Sequence, residues 1–195
     1  KNIIFNSPFT ENHHTLKTIP STIFEDQQGA VWIGTPSGLL KTEAEDKAAI
    51  PQIKQVYRDT ITVREIAQNT NGQMVFATSN GIYTKVKSNK PEDLQLKKIA
   101  EQAILKMAID SKNRLWSGTK NGLDQYRLKL DTLILKEHHD TSFENKASLS
   151  SNYIRSLLID KTGILWVGTF GTGINKLDLN GKQFNHYVGD LRTGT

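Results

Sequence analysis

Four segments of this 195-residue chain repeat one another, and that repetition limits the possible fold more than any other feature. The clearest copy is Ile154–Lys176, IRSLLIDKTGILWVGTFGTGINK. It holds an apolar run ending at Asp160, a turn at Gly163, a second run carrying Trp166, the pair Gly168–Thr169, a Gly-rich bend, and a third run from Ile174. Ser21–Lys41 repeats the pattern with Asp26, Gly29, Trp32, Gly34, Thr35 and Gly38. Leu105–Gln125 keeps Asp110, Trp116, Gly118, Thr119 and Gly122 but has Asn113 at the turn. Arg64–Thr84 departs most, with Asn69 for Asp, Val75 for Trp and Ala77 for Gly, while Gly72, Thr78 and Gly81 stay.

Counted at the Asp/Asn position the copies stand at 26, 69, 110 and 160, so the spacings are 43, 41 and 50 residues. Short runs rich in Ile, Leu, Val and Trp, punctuated by Gly, read as strands in a meander. About four such strands in a period in the forties predict a β-propeller blade. Helical solenoids of similar period need an i, i+3, i+4 pattern that these segments lack. Each repeated offset has a physical task. Asp caps a turn and the Gly (or Asn113) three residues on tolerates positive φ. Trp offers an apolar plate to the neighbouring blade, and the Gly after it admits close backbone approach. The first strand carries adjacent apolar pairs (Ile23-Phe24, Ile66-Ala67, Met107-Ala108, Leu157-Leu158), which predicts burial on both faces between two other blades.

The fold class is therefore all-β, a propeller of about four four-stranded antiparallel blades and part of a larger one, with closure of four blades as the alternative. The whole of 1–195 reads as one segment, with blades at about 19–60, 61–100, 101–150 and 151–190. Residues 1–18 read as a connector or the outer strand of a preceding blade. Strands are expected at 31–34, 39–42, 53–58, 63–68, 73–78, 82–86, 94–99, 105–110, 114–118, 123–128 and 132–137. Glu43–Pro51 reads as a surface excursion, Ser88–Asp93 as a Pro-containing loop, His138–Ser151 as a long connector, and Val188–Thr195 as the start of another.

Several chemistries are poorly supplied. There is no Cys, hence no disulfide or thiol chemistry. No run approaches the ~20 apolar residues of a membrane span, and no N-terminal signal segment is visible, so a membrane anchor would lie outside these residues. The net charge of +5 raises nucleic acid as a partner, but the basic residues are spread rather than striped. The mild cluster of Lys85, Lys87, Lys90, Lys97 and Lys98 falls on outer strands and loops, where lysines guard edges. The five histidines (two adjacent pairs, His13-His14 and His138-His139, plus His186) read as solvated loop residues. Adjacent residues on an extended chain point to opposite sides, so no metal site is expected. Gly168–Gly173 has no phosphate-loop layout, and Gly34–Gly38 is not a nucleophile elbow. An Asp repeated in every blade reads as a turn former, so no catalytic residue and no cofactor is assigned.

The pattern D-x-x-G-x-x-W-x-G-T-x-x-G-L, preceded by Ser148–Ile154 and closed by Phe184-x-x-Tyr187, resembles the two-component regulator propeller repeat over about residues 19–187. The resemblance implies an extracytoplasmic, periplasmic sensor segment of a hybrid two-component histidine kinase from Bacteroidetes-type organisms. It implies a carbohydrate ligand, a homodimer of the parent protein and signalling by rearrangement of that dimer, with any kinase activity residing in the parent. A scaffold propeller for protein partners, or a propeller lyase or hydrolase, is the alternative. Propeller ligands sit where chains enter the innermost strands and at the bends between second and third strands. Five residues before the repeat Asp stand Ser21, Arg64, Leu105 and Arg155. Arg64 and Arg155 are suited to a carboxylate or sulfate. Tyr153 and Phe170 are suited to a sugar ring, and Lys120 and Asn121 supply polar groups. Against this stands the simpler expectation that the arginines pair with neighbouring carboxylates and the two aromatic rings pack between blades.

Overall fold

The computed structural model of the chain describes residues 19–43, 52–58, 60–86, 88, 94–145, 147–180 and 184–187. They form sixteen strands in four antiparallel sheets, each a meander in chain order. The first sheet holds β1 (Thr22–Glu25), β2 (Val31–Thr35), β3 (Gly38–Glu43) and β4 (Gln52–Arg58). The second holds β5 (Val63–Gln68), β6 (Met74–Thr78), β7 (Gly81–Val86) and β8 (Gln95–Ala100). The third holds β9 (Lys106–Ile109), β10 (Arg114–Gly118), β11 (Leu123–Leu128) and β12 (Leu133–His139). The fourth holds β13 (Ile154–Ile159), β14 (Ile164–Thr169), β15 (Ile174–Asp178) and β16 (Phe184–Tyr187). Expectations for His13, His14 and the rest of 1–18, for 44–51, for Lys87, for Lys90 and the remainder of 89–93, and for 188–195 lie outside the described residues.

The turn chemistry explains why the meanders form. Asp26 Oδ1 accepts from the backbone N–H groups of Gln28 (3.0 Å) and Ala30 (2.9 Å), and Gly29 follows at φ 82°. Asp110, Asp160 and Asn69 make the same pair of bonds in their own sheets. Asn113 takes the positive φ of the turn glycine at 59°. The Trp residues then reach back: each indole N–H donates to the second carboxylate oxygen of its Asp, at 2.7 Å for Trp32, 3.2 Å for Trp116 and 2.8 Å for Trp166.

The first strands β1, β5, β9 and β13 lie beside one another in that order, the arrangement of blades around a hub. Three apolar cores fill the joints. Phe24, Trp32, Leu39, Ile66, Met74 and Phe76 pack between the first and second sheets. Ala67, Val75, Met107, Leu115 and Tyr126 pack between the second and third. Trp116, Leu149, Leu157, Leu165, Val167 and Phe184 pack between the third and fourth. Each fully buried Leu, Phe or Val stabilises by about 1.5–3 kcal/mol relative to exposure, so the joints hold the sheets together.

Three expectations are corrected. First-strand residues are not all buried on both faces: Ile23 is 67% exposed and Leu158 63% exposed. Ile66 and Met107, at the place of Ile23, are buried because a preceding sheet covers them, and Ala67, at the place of Leu158, because a following sheet does. Second, His138 and His139 are not connector residues. They end β12, where pairing with Asp124 and Leu123 extends the strand, and His139 stacks on Trp116 at 6.0 Å. His186 likewise lies in β16, opposite Asn175. Third, Glu43 belongs to β3 and not to the excursion that follows it.

Candidate functional site

The sequence pattern also decides what gathers at the rim where chains enter the first strands. The bend between β10 and β11 is closed by Thr119, whose N–H and hydroxyl both donate to the Gly122 carbonyl at 3.0 Å. Thr119 then accepts from Ile154 N–H at 2.9 Å, which fixes the entry of β13 against the third sheet. One residue earlier, Tyr153 accepts from Phe170 N–H at 2.9 Å. Backbone bonds thus bring Lys120, Asn121, Tyr153, Arg155 and Phe170 to one place.

Their side chains form a defined group. Tyr153 and Phe170 stack with centroids 5.3 Å apart and planes inclined by 29°. Phe170 is 63% exposed, while Tyr153 is half-buried beneath its neighbours. Arg155 Nη1 donates to the Tyr153 hydroxyl at 3.2 Å, and its guanidinium lies 5.5 Å from the ring centroid. Lys120 Nζ approaches the same ring at 5.8 Å. Among the described residues neither cation is in an ion pair, contrary to the simpler expectation for Arg155. Asn121 anchors its backbone on the Thr119 hydroxyl at 2.9 Å and presents its side chain to solvent. A small cavity of about 190 Å³ opens beside the group, lined by Leu105, Lys106, Ile154 and Arg155.

Arg64 is not brought to this group. Its guanidinium makes a long 3.4 Å bond to the Ile104 carbonyl, and β9 stands between its strand and β13. It too forms no ion pair among the described residues. Lys106 was not singled out by the sequence. It sits one offset later than the arginines, on β9, and pairs with Glu65. Glu65 on β5 and Lys106 on β9, opposite in charge at the same repeat offset, were the available signal.

At the opposite end, between the second and third sheets, lies an open groove of about 680 Å³ lined in part by Asn71, Gln73, Lys85, Asn113 and Leu130. Its amides are already engaged. Thr70 donates to Asn113 Oδ1 through both N–H (3.0 Å) and hydroxyl (2.8 Å), and Gln73 Nε2 donates to the carbonyls of Lys129 (3.2 Å) and Leu130 (2.9 Å). These bonds join two sheets where Val75 replaces the Trp of the other copies. No group of three or more His, Cys, Asp or Glu able to hold a metal ion occurs among the described residues. Among the described residues there is no helix long and apolar enough to cross a membrane.

Four-stranded sheets set side by side at their first strands define a β-propeller architecture. Residues 17–37 and 148–171 match the two-component regulator propeller family, so the first and fourth copies are similar to repeats of that kind. No curated protein sequence matches the chain. Among solved structures, an extracellular domain assigned to a hybrid two-component system of B. thetaiotaomicron superposes with TM-score 0.65 at 18% identity, over 85% of this chain and 22% of that one. PorZ of Porphyromonas gingivalis, a surface component of the type-IX secretion system, gives 0.60 at 15% identity, over 86% and 27%. Virginiamycin B lyase from Staphylococcus aureus gives 0.59 at 14%, over 88% and 56%. At such identities the likeness is one of fold. The chain spans well under a third of the first two of these proteins.

Proposed function

We propose that this chain is a non-catalytic, extracytoplasmic segment of a larger propeller in a hybrid two-component sensor, and that it recognises a carbohydrate on the rim formed by Tyr153 and Phe170. The observation that carries the reading is the stacked aromatic pair at a propeller's strand-entry rim, in which Phe170 is exposed and Tyr153 half-buried. A sugar ring offers an apolar face of C–H groups that packs on such rings, and a rim of hydroxyls for Asn121 and Lys120. The family match at 17–37 and 148–171 supports the sensor part of the reading, and the fold shared with an extracellular sensor domain supports the location. In this reading the ligand acts by favouring one arrangement of two sensor chains over another in a homodimer, since a ligand shifts an equilibrium only through its different affinity for two states.

A second reading, a scaffold for protein partners, is favoured by the outer face of the fourth sheet. There Leu158 (63%), Ile174 (48%) and Tyr187 (52%) are exposed beside Trp166. Screening the protein against a glycan array, followed by calorimetry on each hit, separates the two. Saccharide binding that is lost in Tyr153→Ala supports the sensor reading. Turnover of a bound glycan would replace it with an enzyme, and an empty array would leave the scaffold.

A further inference from the structure

We infer that the carbohydrate bound at this rim is anionic, and that a carboxylate or sulfate of the sugar is received between Arg155 and Lys120. The inference rests on the saccharide reading above and specifies its chemistry. Two cations converge on one tyrosine, Arg155 at 5.5 Å and Lys120 at 5.8 Å from the Tyr153 centroid. Neither has a carboxylate partner among the described residues. Other lysines do have carboxylate partners: Lys106 pairs with Glu65, Lys97 with Asp131 and Lys98 with Glu101. Arg155 and Lys120 are thus two unpaired cations at the rim that also carries the aromatic shelf.

The inventory of donors and acceptors points the same way. Arg155 spends one N–H on the Tyr153 hydroxyl, and its planar fork retains donors suited to two-point contact with a carboxylate or sulfate. Lys120 adds three more donors and no acceptor. The cavity beside them is lined by Leu105, Lys106, Ile154 and Arg155, none of which has an acidic side chain. A neutral sugar hydroxyl both gives and accepts, so a site for neutral sugars needs side-chain acceptors in proportion. Here donors dominate, and the complement of a donor-rich, positively charged site is a ligand rich in negatively charged acceptors.

Calorimetry on the protein with four saccharide probes, and with inorganic sulfate alone, tests this. The probes are an oligomer of galacturonic acid, its neutral methyl ester, a sulfated galactose oligomer, and its desulfated form. An acid form bound at least about tenfold more tightly than its neutral partner is expected, since a hydrogen bond between charged groups contributes that much. Whichever acid form binds identifies the carboxylate or the sulfate as the recognised group. The variants Arg155→Gln and Lys120→Gln change exposed side chains, and each should weaken the acid form and flatten its dependence on salt while unfolding temperature is unchanged. Equal binding of acid and neutral forms, or an acid form indifferent to both variants, overturns the anion inference and leaves the saccharide reading standing. Binding of inorganic sulfate with no saccharide of any kind overturns the saccharide reading. No binding by any probe overturns both.

Discussion

The indole N–H of Trp32 donates to Asp26 Oδ2 at 2.7 Å, so a single carboxylate holds both a turn and the plate on which the next sheet packs. Burial works to raise the Asp26 pKa, but the Trp32 bond, the Ala30 and Gln28 N–H groups and the nearby Lys41 together hold it below the usual carboxylate range. The second sheet lacks both halves of the device. Asn69 keeps one oxygen for the turn, and Val75 has no side-chain N–H to offer. The Asn69 amide instead donates to Gln73 Oε1 at 3.1 Å.

Converting the third sheet to the second sheet's chemistry tests that coupling. Asp110→Asn faces an amide toward the buried Trp116 N–H and removes the charge beside Arg114, whose Nε lies 2.6 Å from Oδ2. A loss of about 2–4 kcal/mol is expected. Trp116→Val should cost about 3–5 kcal/mol as a cavity. The double variant should lose about 1 kcal/mol less than the two single losses combined, because the polar mismatch has gone. Urea unfolding of the three variants decides it, and strict additivity would show that the indole bond contributes nothing.

Two glycines of the same repeat should respond for different reasons. A Cβ on Gly118 would meet Ile154 Cγ2 at 2.5 Å, and Ile154 is fully buried at the joint between the third and fourth sheets. Gly118→Ala should therefore cost about 1–3 kcal/mol through overpacking. A Cβ on Gly163 meets nothing within 4 Å, but φ is +82°. Gly163→Ala should cost about 1–2 kcal/mol through backbone strain alone. A double-mutant cycle separates them: Ile154→Ala, which deletes the Cγ2 atom that a Gly118 Cβ would meet, should cost less in the Gly118→Ala background than in the parent and the same as in the parent in Gly163→Ala, measured by thermal unfolding.

Much of this architecture was legible because the constraints recur at fixed offsets. A turn Asp, a positive-φ residue, a plate and a gap declare a meander four times over, and backbone geometry leaves few other outcomes. The carboxylate–indole bond was not legible, since nothing in a spacing of six says that a turn former also accepts a side-chain bond across the strand. Nor was the strand role of His138 and His139. A histidine pair after Lys136 and Glu137 reads as a connector, and only Asp124 across the sheet, 2.6 Å from His138 Nδ1, shows why β12 continues. At the rim, the five-residue offset named Arg64 and Arg155 as equivalents. Sequence offset fixes a place within a blade but not the neighbour across the joint, which is why Lys120 joins Arg155 and Arg64 does not.

Acid sensitivity should centre on His139. Burial between Trp116 and Phe184 (ring centroids 6.0 and 5.3 Å) depresses its pKa below 6.5, outweighing the pull of Glu137, Asp124 and Asp140, and His138 works in the same direction as burial. The unfolded chain then takes up a proton on this residue more readily than the folded one. Its contribution to stability is complete above about pH 6.5 and is lost as pH falls from there toward the lower folded value. Unfolding temperature should accordingly decline as pH drops below about 6.5. In His139→Phe, which keeps both ring contacts and cannot be protonated, that part of the decline should vanish. An unchanged profile in the variant would assign the effect to another group.

Phe170, in the bend after β14, and Phe184, in β16, should behave oppositely. Phe184 is 5% exposed and fills the core between the third and fourth sheets. Phe184→Ala should destabilise by about 3–5 kcal/mol. Phe170 is 63% exposed and touches Tyr153 in a stacked pair. Phe170→Ala gives up only that contact, about 0.5–1.5 kcal/mol beyond area burial at most, and should shift unfolding by little. For a saccharide ligand the order reverses. Removing the exposed ring should raise Kd by about threefold to tenfold, whereas a conservative core change such as Phe184→Leu should leave Kd alone wherever the protein remains folded. Measuring unfolding and saccharide affinity on the same samples assigns each ring to one role. A Phe170→Ala protein that loses stability as severely as Phe184→Ala, with unaltered affinity, would make the shelf a structural joint.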